Sequence, residues 1–278
     1  MKTRQASDSS SAKADVPISS AVAPLALWCA DVASDDGVSV EDRQSRIPGF
    51  SQEALSSLKV VIAGAGAMAG EIAEGLVRKG VGELQVIDFD TVGLTNLNRQ
   101  FFMIGDVGSP KAYALVRNLE PHGAMGTRLV GWPISFEEAL AGDVDLDCDV
   151  IVAAVDDART RIRMSIFARE RGIPAIFGGA SVDASYAYVF VQEPNAACFG
   201  CAFPDEARLG RNPCPGSPAV KDTFKALGAL ALYAIDSLLM ERSRDWNHHA
   251  YCPANGEHTR GRWIPRSSQC PLCGGASA

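Results

Sequence analysis

No excess of positive charge marks this chain: 26 Lys and Arg stand against 33 Asp and Glu, a formal charge of −7. An acidic balance offers no electrostatic footprint for nucleic acid or an anionic membrane surface, so small molecules and proteins are the expected partners. Long apolar runs are lacking too. The best membrane candidate, residues 223–240, contains Lys225 and Asp236, and its charge-free stretch is far short of the ~20 residues of a bilayer span. A buried helix is expected there. The run Ala21-Val-Ala-Pro-Leu-Ala-Leu-Trp28 imitates the apolar part of a signal peptide, but it starts late and Asp8 and Asp15 precede it, so a cytoplasmic protein is expected. There is no internal repeat. What the 278 residues do have is 47% hydrophobic and 21% charged side chains, which excludes a wholly disordered, collagenous or disulfide-scaffold chain. Residues 1–40, rich in Ser, Ala and Asp without periodicity, are expected to be a disordered tail, and residues 41–278 the folded domain.

Eight cysteines are the one unusual abundance. Four fall in Cys198-Phe-Gly-Cys201 and Cys270-Pro-Leu-Cys273, a knuckle spacing that suits tetrahedral Zn²⁺ better than a secreted disulfide framework. Redox dithiols or unpaired buried cysteines are the alternatives. With 68 residues between the pairs, zinc would staple the C-terminal region onto the domain. Four sulfur ligands would leave that metal no open position, hence a structural role. Cys29, Cys148 and Cys252 read as incidental; Cys252 with His248, His249 and His258 forms either a second metal site or, the favoured reading, an exposed polar loop.

Residues 59–63, Lys-Val-Val-Ile-Ala, form a β-branched run that ends in Gly64-Ala-Gly66-Ala-Met-Ala69-Gly70 and continues into a helical pattern through Ile72, Leu76 and Val77. Gly80 and Gly82 close that helix, and residues 83–88 make a second strand ending on Asp88. Further strands are expected at 150–155 and 175–177, flanking a helix at 160–171, with an antiparallel strand at 185–191. The expected fold is α/β: a doubly wound, Rossmann-like, mostly parallel sheet with added antiparallel strands and a zinc-stapled C-terminal region. A Gly64-x-Gly66-x-x-Ala69 turn between strand and helix lets backbone approach a phosphate at a helix N-terminus, and Asp88 can accept from ribose hydroxyls. A plain structural turn would share the glycines, and an NAD-dependent dehydrogenase and an ATP-using enzyme would look identical here.

The segment Asp88-Phe-Asp90-Thr-Val-Gly-Leu-Thr-Asn96-Leu-Asn98-Arg99-Gln100-Phe-Phe, followed by Gly108-Ser-Pro-Lys111, resembles the signature of the ThiF/MoeB/HesA family, bacterial relatives of ubiquitin-activating enzymes. Asp42-Arg43-Gln44-x-x-x-x-Gly49-Phe and Ala154-Val-Asp156-Asp157-Ala-Arg159-Thr-Arg161 resemble two further family segments, and both cysteine pairs sit where the family places a structural zinc. The resemblance implies an ATP-dependent adenylyltransferase that activates the C-terminal glycine carboxylate of a small ubiquitin-like carrier protein, or a peptide or modifier in a specialised pathway. It disfavours the dehydrogenase; a non-catalytic binding module is the remaining alternative. It implies ATP held by Gly64, Gly66, Ala69, Asp88, Asp90, Asn96, Arg99, Gln100 and Lys111, and Mg²⁺ held by Asp156. Arg99 and Lys111 would neutralise the triphosphate. Arg43 would reach the ATP of a partner subunit, so a homodimer is expected. Cys214, in a Pro-flanked loop, would carry a thioester or persulfide or be an incidental thiol. A solvated loop around Asn96 and Lys111, and a helix N-cap at Asp156, are the plain structural alternatives. Two departures stand out: Ala67 and Ala69 replace usual glycines, and Asp157 replaces a usual asparagine. No sulfurtransferase domain follows Cys273, so a separate sulfur donor is expected.

Overall fold

The computed structural model describes residues 22–142, 144–181, 186–210, 220–240, 242–252 and 261–274. Its strands are β1 (Leu25–Trp28), β2 (Lys59–Ala63), β3 (Glu83–Ile87), β4 (Arg128–Trp132), β5 (Val150–Ala153), β6 (Ala175–Ala180), β7 (Ala187–Gln192), β8 (His248–Tyr251) and β9 (Gly261–Arg262). Its α-helices are α1 (Asp42–Ser45), α2 (Gln52–Ser57), α3 (Ala67–Lys79), α4 (Lys111–Leu119), α5 (Phe136–Ala141), α6 (Ala158–Arg171), α7 (Phe199–Ala202), α8 (Pro204–Leu209) and α9 (Lys221–Leu239). The described strands form one sheet in the order β1-β4-β3-β2-β5-β6-β7-β8-β9. From β4 to β6 the pairing is parallel; β1 at one side and β7, β8 and β9 at the other are antiparallel. The expected doubly wound α/β fold with added antiparallel strands is therefore the one observed.

β2 shows why the parallel strands read as unbroken apolar runs. Val60 and Ile62 pack with Ile72 and Leu76 of α3 and Leu227 of α9, while Val61 and Ala63 pack with Met164 and Phe167 of α6 on the opposite face. α3 ends at Gly80, whose left-handed φ of 81° lets its N–H bond the Leu76 and Val77 carbonyls. It lies close against α9, for a Cβ on Gly75 would come within 2.3 Å of Leu232 and one on Gly228 within 2.5 Å of Glu71. Asp236, the charge that argues against a membrane span, is 3% exposed and paired with Lys79 at 2.7 Å and Arg242 at 2.9 Å. No described helix is long and apolar enough to cross a membrane.

Two expectations are corrected here. The disordered tail expected over residues 1–40 does not hold for 22–40: Leu25–Trp28 is the edge strand β1, pairing with β4. Leu25 and Leu27 pack on the core, the Tyr113 hydroxyl donates to the Ala23 carbonyl, and Cys29 is buried. Four alternating residues are too short a pattern to stand out in a Ser- and Ala-rich stretch. Likewise, His248 and His249 are not in an exposed loop but in β8. Burial pushes the His248 imidazole down to about 4, and its ring stacks on Tyr188 at 5.6 Å. His258 lies outside the described residues, and among those described only the four paired cysteines form a metal-ligating group. Cys148 is buried before β5, its thiol pushed up to about 12 by burial.

Candidate active site

β2 runs directly into the glycine turn. Gly64 has φ +95°, and a Cβ there would sit 2.5 Å from the Ala154 carbonyl at the end of β5, so the turn can follow this path only as glycine. This is the switch point of the sheet: β3 and β4 lie on one side of β2, β5 and β6 on the other, and ligands of such folds bind outside the strand ends at that place. Gly66 has a different reason. A Cβ there would meet only the Ala154 oxygen, at 4.0 Å, so packing within the chain leaves room for a side chain. What Gly66 keeps clear is the cleft it lines. It precedes α3 as an N-cap without a side-chain cap, leaving helix N–H groups for an anion.

The cleft is about 490 Å³. Of the expected nucleotide residues, Gly64, Gly66, Asp88, Asp90, Arg99, Gln100 and Lys111 line it, as does Asp156. Asp88 Oδ2 accepts from the Ala65 N–H at 2.6 Å and Oδ1 from the Asp90 N–H at 2.8 Å. Burial raises its carboxyl above the usual range, against the opposing pull of those N–H groups and of Lys111. Lys111, at the start of α4, reaches Asp90 at 2.8 Å. Arg99 is tethered through Nη1 to the Thr95 carbonyl at 2.7 Å and Asn98 Oδ1 at 3.0 Å. Gln100 Oε1 is buried without a hydrogen-bond partner among the described residues.

Three expected residues are elsewhere. Ala69 is fully buried in the core under α3, because the third position of that helix faces the sheet. Asn96 does not line the cleft; its Oδ1 accepts from the Gly93 N–H at 2.8 Å and so closes the turn before Arg99. Arg43 is outside the cleft, its side chain 94% exposed. Cys214 lies outside the described residues.

The aspartate pair divides its work. Asp157, not Asp156, caps α6, accepting from the Thr160 N–H at 2.7 Å. The capping alternative for Asp156 therefore falls, and the unusual Asp157 has a structural duty. The Asp156 carboxylate lines the cleft and pairs with no described side chain. Among the described residues six carboxylates line the cleft, Asp88, Asp90, Glu137, Asp156, Asp157 and Glu206, against three cations, Arg99, Lys111 and Arg161. The Asp156 carboxylate, with no described partner, has the chemistry to hold a hard cation. Arg161 is the side chain whose role the sequence alone did not reveal: it is 8% exposed, and two of its partners, Gly178 and Tyr188, come from β6 and β7.

The four knuckle cysteines converge. All four Sγ atoms lie within 4.8 Å of one another, with separations of 3.8 Å for Cys198–Cys201, 3.4 Å for Cys198–Cys270 and 3.5 Å for Cys201–Cys273. These are too long for S–S bonds of ~2.05 Å. They match the ~3.8 Å edge of a tetrahedron with Zn–S of ~2.3 Å. The thiol set fits zinc.

A model of the ThiF family matches residues 41–271. The chain belongs to the ThiF family. Similar members include a sulfur carrier protein adenylyltransferase of Thermus thermophilus, 27% identical over 230 residues, 80% of this chain and 84% of that protein. The sulfur carrier protein ThiS adenylyltransferase of Escherichia coli is 27% identical over 234 residues, 82% of this chain and 90% of that one. The SAMP-activating enzyme E1 of Haloferax volcanii is 33% identical over 168 residues, 58% of this chain and 59% of that one. Among solved structures, E. coli MccB with ATP superposes with a TM-score of 0.67 at 20% identity, covering 80% of this chain and 68% of that one, a likeness of fold. This ThiF-family chain thus has the family's sheet, with its cleft at the switch point.

Proposed function

We propose that this chain is an ATP-dependent adenylyltransferase acting on the C-terminal glycine carboxylate of a small ubiquitin-like sulfur-carrier protein. The observation that carries the reading is one cleft combining the open Gly66 turn and helix N-terminus with Lys111, Arg99 and a free Asp156. The names of its relatives as sulfur carrier protein adenylyltransferases support the substrate. In the reaction a carboxylate oxygen forms a bond to the α-phosphorus while the bond from that phosphorus to the β-bridging oxygen breaks, and pyrophosphate leaves with the electron pair. No proton moves. The burden is positioning and charge neutralisation.

Asp88 receives the ribose hydroxyls, the Gly64–Gly66 backbone and α3 receive phosphate oxygens, and Arg99, Gln100 and Lys111 face the triphosphate. Lys111 exchanges its Asp90 contact for phosphate. Mg²⁺, held by Asp156, would supply the remaining positive charge. Zinc on Cys198, Cys201, Cys270 and Cys273 would staple the C-terminal region without touching the chemistry. The exposure of Arg43 outside its own cleft supports a homodimer in which it serves the neighbouring site. The test is ATP–pyrophosphate exchange. A carrier ending in Gly-Gly should support exchange and the same carrier lacking its terminal glycine should not. Exchange only with a free peptide would move the substrate to that class; ATP binding without exchange on any carrier would make the chain a binding module.

A further inference from the structure

Arg161 is buried at the cleft without a carboxylate hydrogen bond to explain it. Its Nε donates to the Val155 carbonyl at 2.9 Å, Nη2 to the Gly178 carbonyl at 2.9 Å, and Nη1 to the Tyr188 hydroxyl at 3.2 Å. Among the described residues the carboxylate that pairs with it is Glu206, at 3.7 Å, whose Oε2 makes no hydrogen bond. A guanidinium fork is thus spent on backbone of the loop after β5 and of β6, and on the Tyr188 hydroxyl of β7. An arginine desolvated to this extent is costly unless its contacts secure something.

What it secures is the loop that carries Asp156. Val155, whose carbonyl Arg161 holds, is the residue immediately before Asp156. On the other side, Asp157 is pinned by its cap to Thr160. Asp156 is therefore the unpinned carboxylate between two pinned neighbours, and it faces the cleft. We propose that Arg161 is a positioning residue that orients the Asp156 carboxylate toward a nucleotide-bound divalent cation, acting through the Val155 carbonyl. A lysine cannot substitute, because one ammonium does not present three in-plane donors to three diverging acceptors. The inference rests on the proposed nucleotide site but not on which carboxylate is adenylated.

The experiment measures ATP binding by calorimetry on the full chain, with Mg²⁺ stepped from fully chelated upward. Outer partners of a metal-ligating carboxylate are worth about 10- to 100-fold in metal affinity. Arg161→Lys should therefore raise the Mg²⁺ concentration for half-maximal enhancement of ATP binding at least about tenfold. Metal-free ATP affinity should stay within about twofold, as expected for a separate contact. Tyr188→Phe, which removes one of the three restraints, should move the Mg²⁺ midpoint in the same direction by less, and it decides the matter if Arg161→Lys does not fold. In an Asp156→Asn background Arg161→Lys should add no further shift. An unchanged Mg²⁺ midpoint in both variants, an equal shift in the Asp156→Asn background, or Mg²⁺-independent ATP binding by the unmodified chain overturns the proposal. Failure of pyrophosphate exchange with every carrier would overturn adenylation while these binding midpoints still decide the role of Arg161.

Discussion

The cleft at the switch point and the cysteine cluster are built on opposite plans. At the switch point, the part of the cleft proposed to take the nucleotide is built from residues close in sequence: Gly64, Gly66 and Asp88 come from one βαβ unit, and Arg99 and Lys111 from the segment that follows it, while residues from 134–137, 154–161 and 178–181 add to the lining. At the cluster, Cys198 and Cys201 meet Cys270 and Cys273 across 68 intervening residues, while β7, β8 and β9 close the sheet. The first tolerates little change in covalent shape because its parts are packed against strand ends. The second gathers four thiols from two distant segments beside the short β8 and the two-residue β9, and the proposed zinc would tie those segments together.

The largest effect should come from breaking the thiol cluster. Cys270→Ser should release the bound metal, removing from folding a binding free energy on the order of 10 kcal/mol. Metal content should fall from one equivalent to none, and amide exchange should accelerate in β8, β9 and α7 before β2 or β5. Simultaneous loosening of both sites would dissolve the contrast between them. At the cleft, Arg99→Ala should lower pyrophosphate exchange by about 10²–10³-fold, the scale of one charge-stabilising donor, with zinc retained. Gly64→Ala drives a Cβ against the Ala154 carbonyl and strains a left-handed residue; it should cost about 1–3 kcal/mol in urea melts and weaken ATP binding.

Smaller and more discriminating is the pH response of Asp88. Its carboxyl is raised by burial, so the folded state favours the protonated form. That contribution to stability is present in acid and is lost as pH rises through the raised value. ATP affinity should run the other way, falling as pH drops through the same window because a protonated Asp88 is a poorer acceptor for ribose hydroxyls. Calorimetric affinity followed upward in pH from the ordinary carboxylate range should show that fall toward acid in the unmodified chain and a flatter profile in Asp88→Asn. An identical profile in both would remove Asp88 from the ribose site. Smallest of all, Cys214→Ala should leave exchange within about twofold and affect only later transfer to sulfur; a collapse of exchange would place that thiol in the adenylation step itself.

Legibility followed the same division. The Gly64–Gly66 turn, Asp88 and the helix after β2 could be placed from the sequence because strand, turn and helix signals are contiguous there. Ala69 and Asn96 do not line the cleft, for a physical reason: one occupies a position of the nucleotide motif but faces the core, and the other is polar but spends its oxygen on the Gly93 N–H. β1 escaped because a four-residue edge strand has almost no periodicity to detect. Arg161 sits in a recognisable segment, yet nothing local distinguishes a buried guanidinium from a solvated one.

The sequence by itself determined the fold class, the place of the phosphate turn, the spacing of the zinc-competent thiols and the family, since each is written in short-range pattern. Tertiary structure alone decided which aspartate is free and which caps a helix, that Asp236 is a paired buried carboxylate, that residues 25–28 complete the sheet, and that Arg161 spans Val155, Gly178 and Tyr188. Those are questions of which polar groups find partners once water is excluded. Apart from the local Asp157 cap and the Val155 contact, the answer depends on segments distant in the chain.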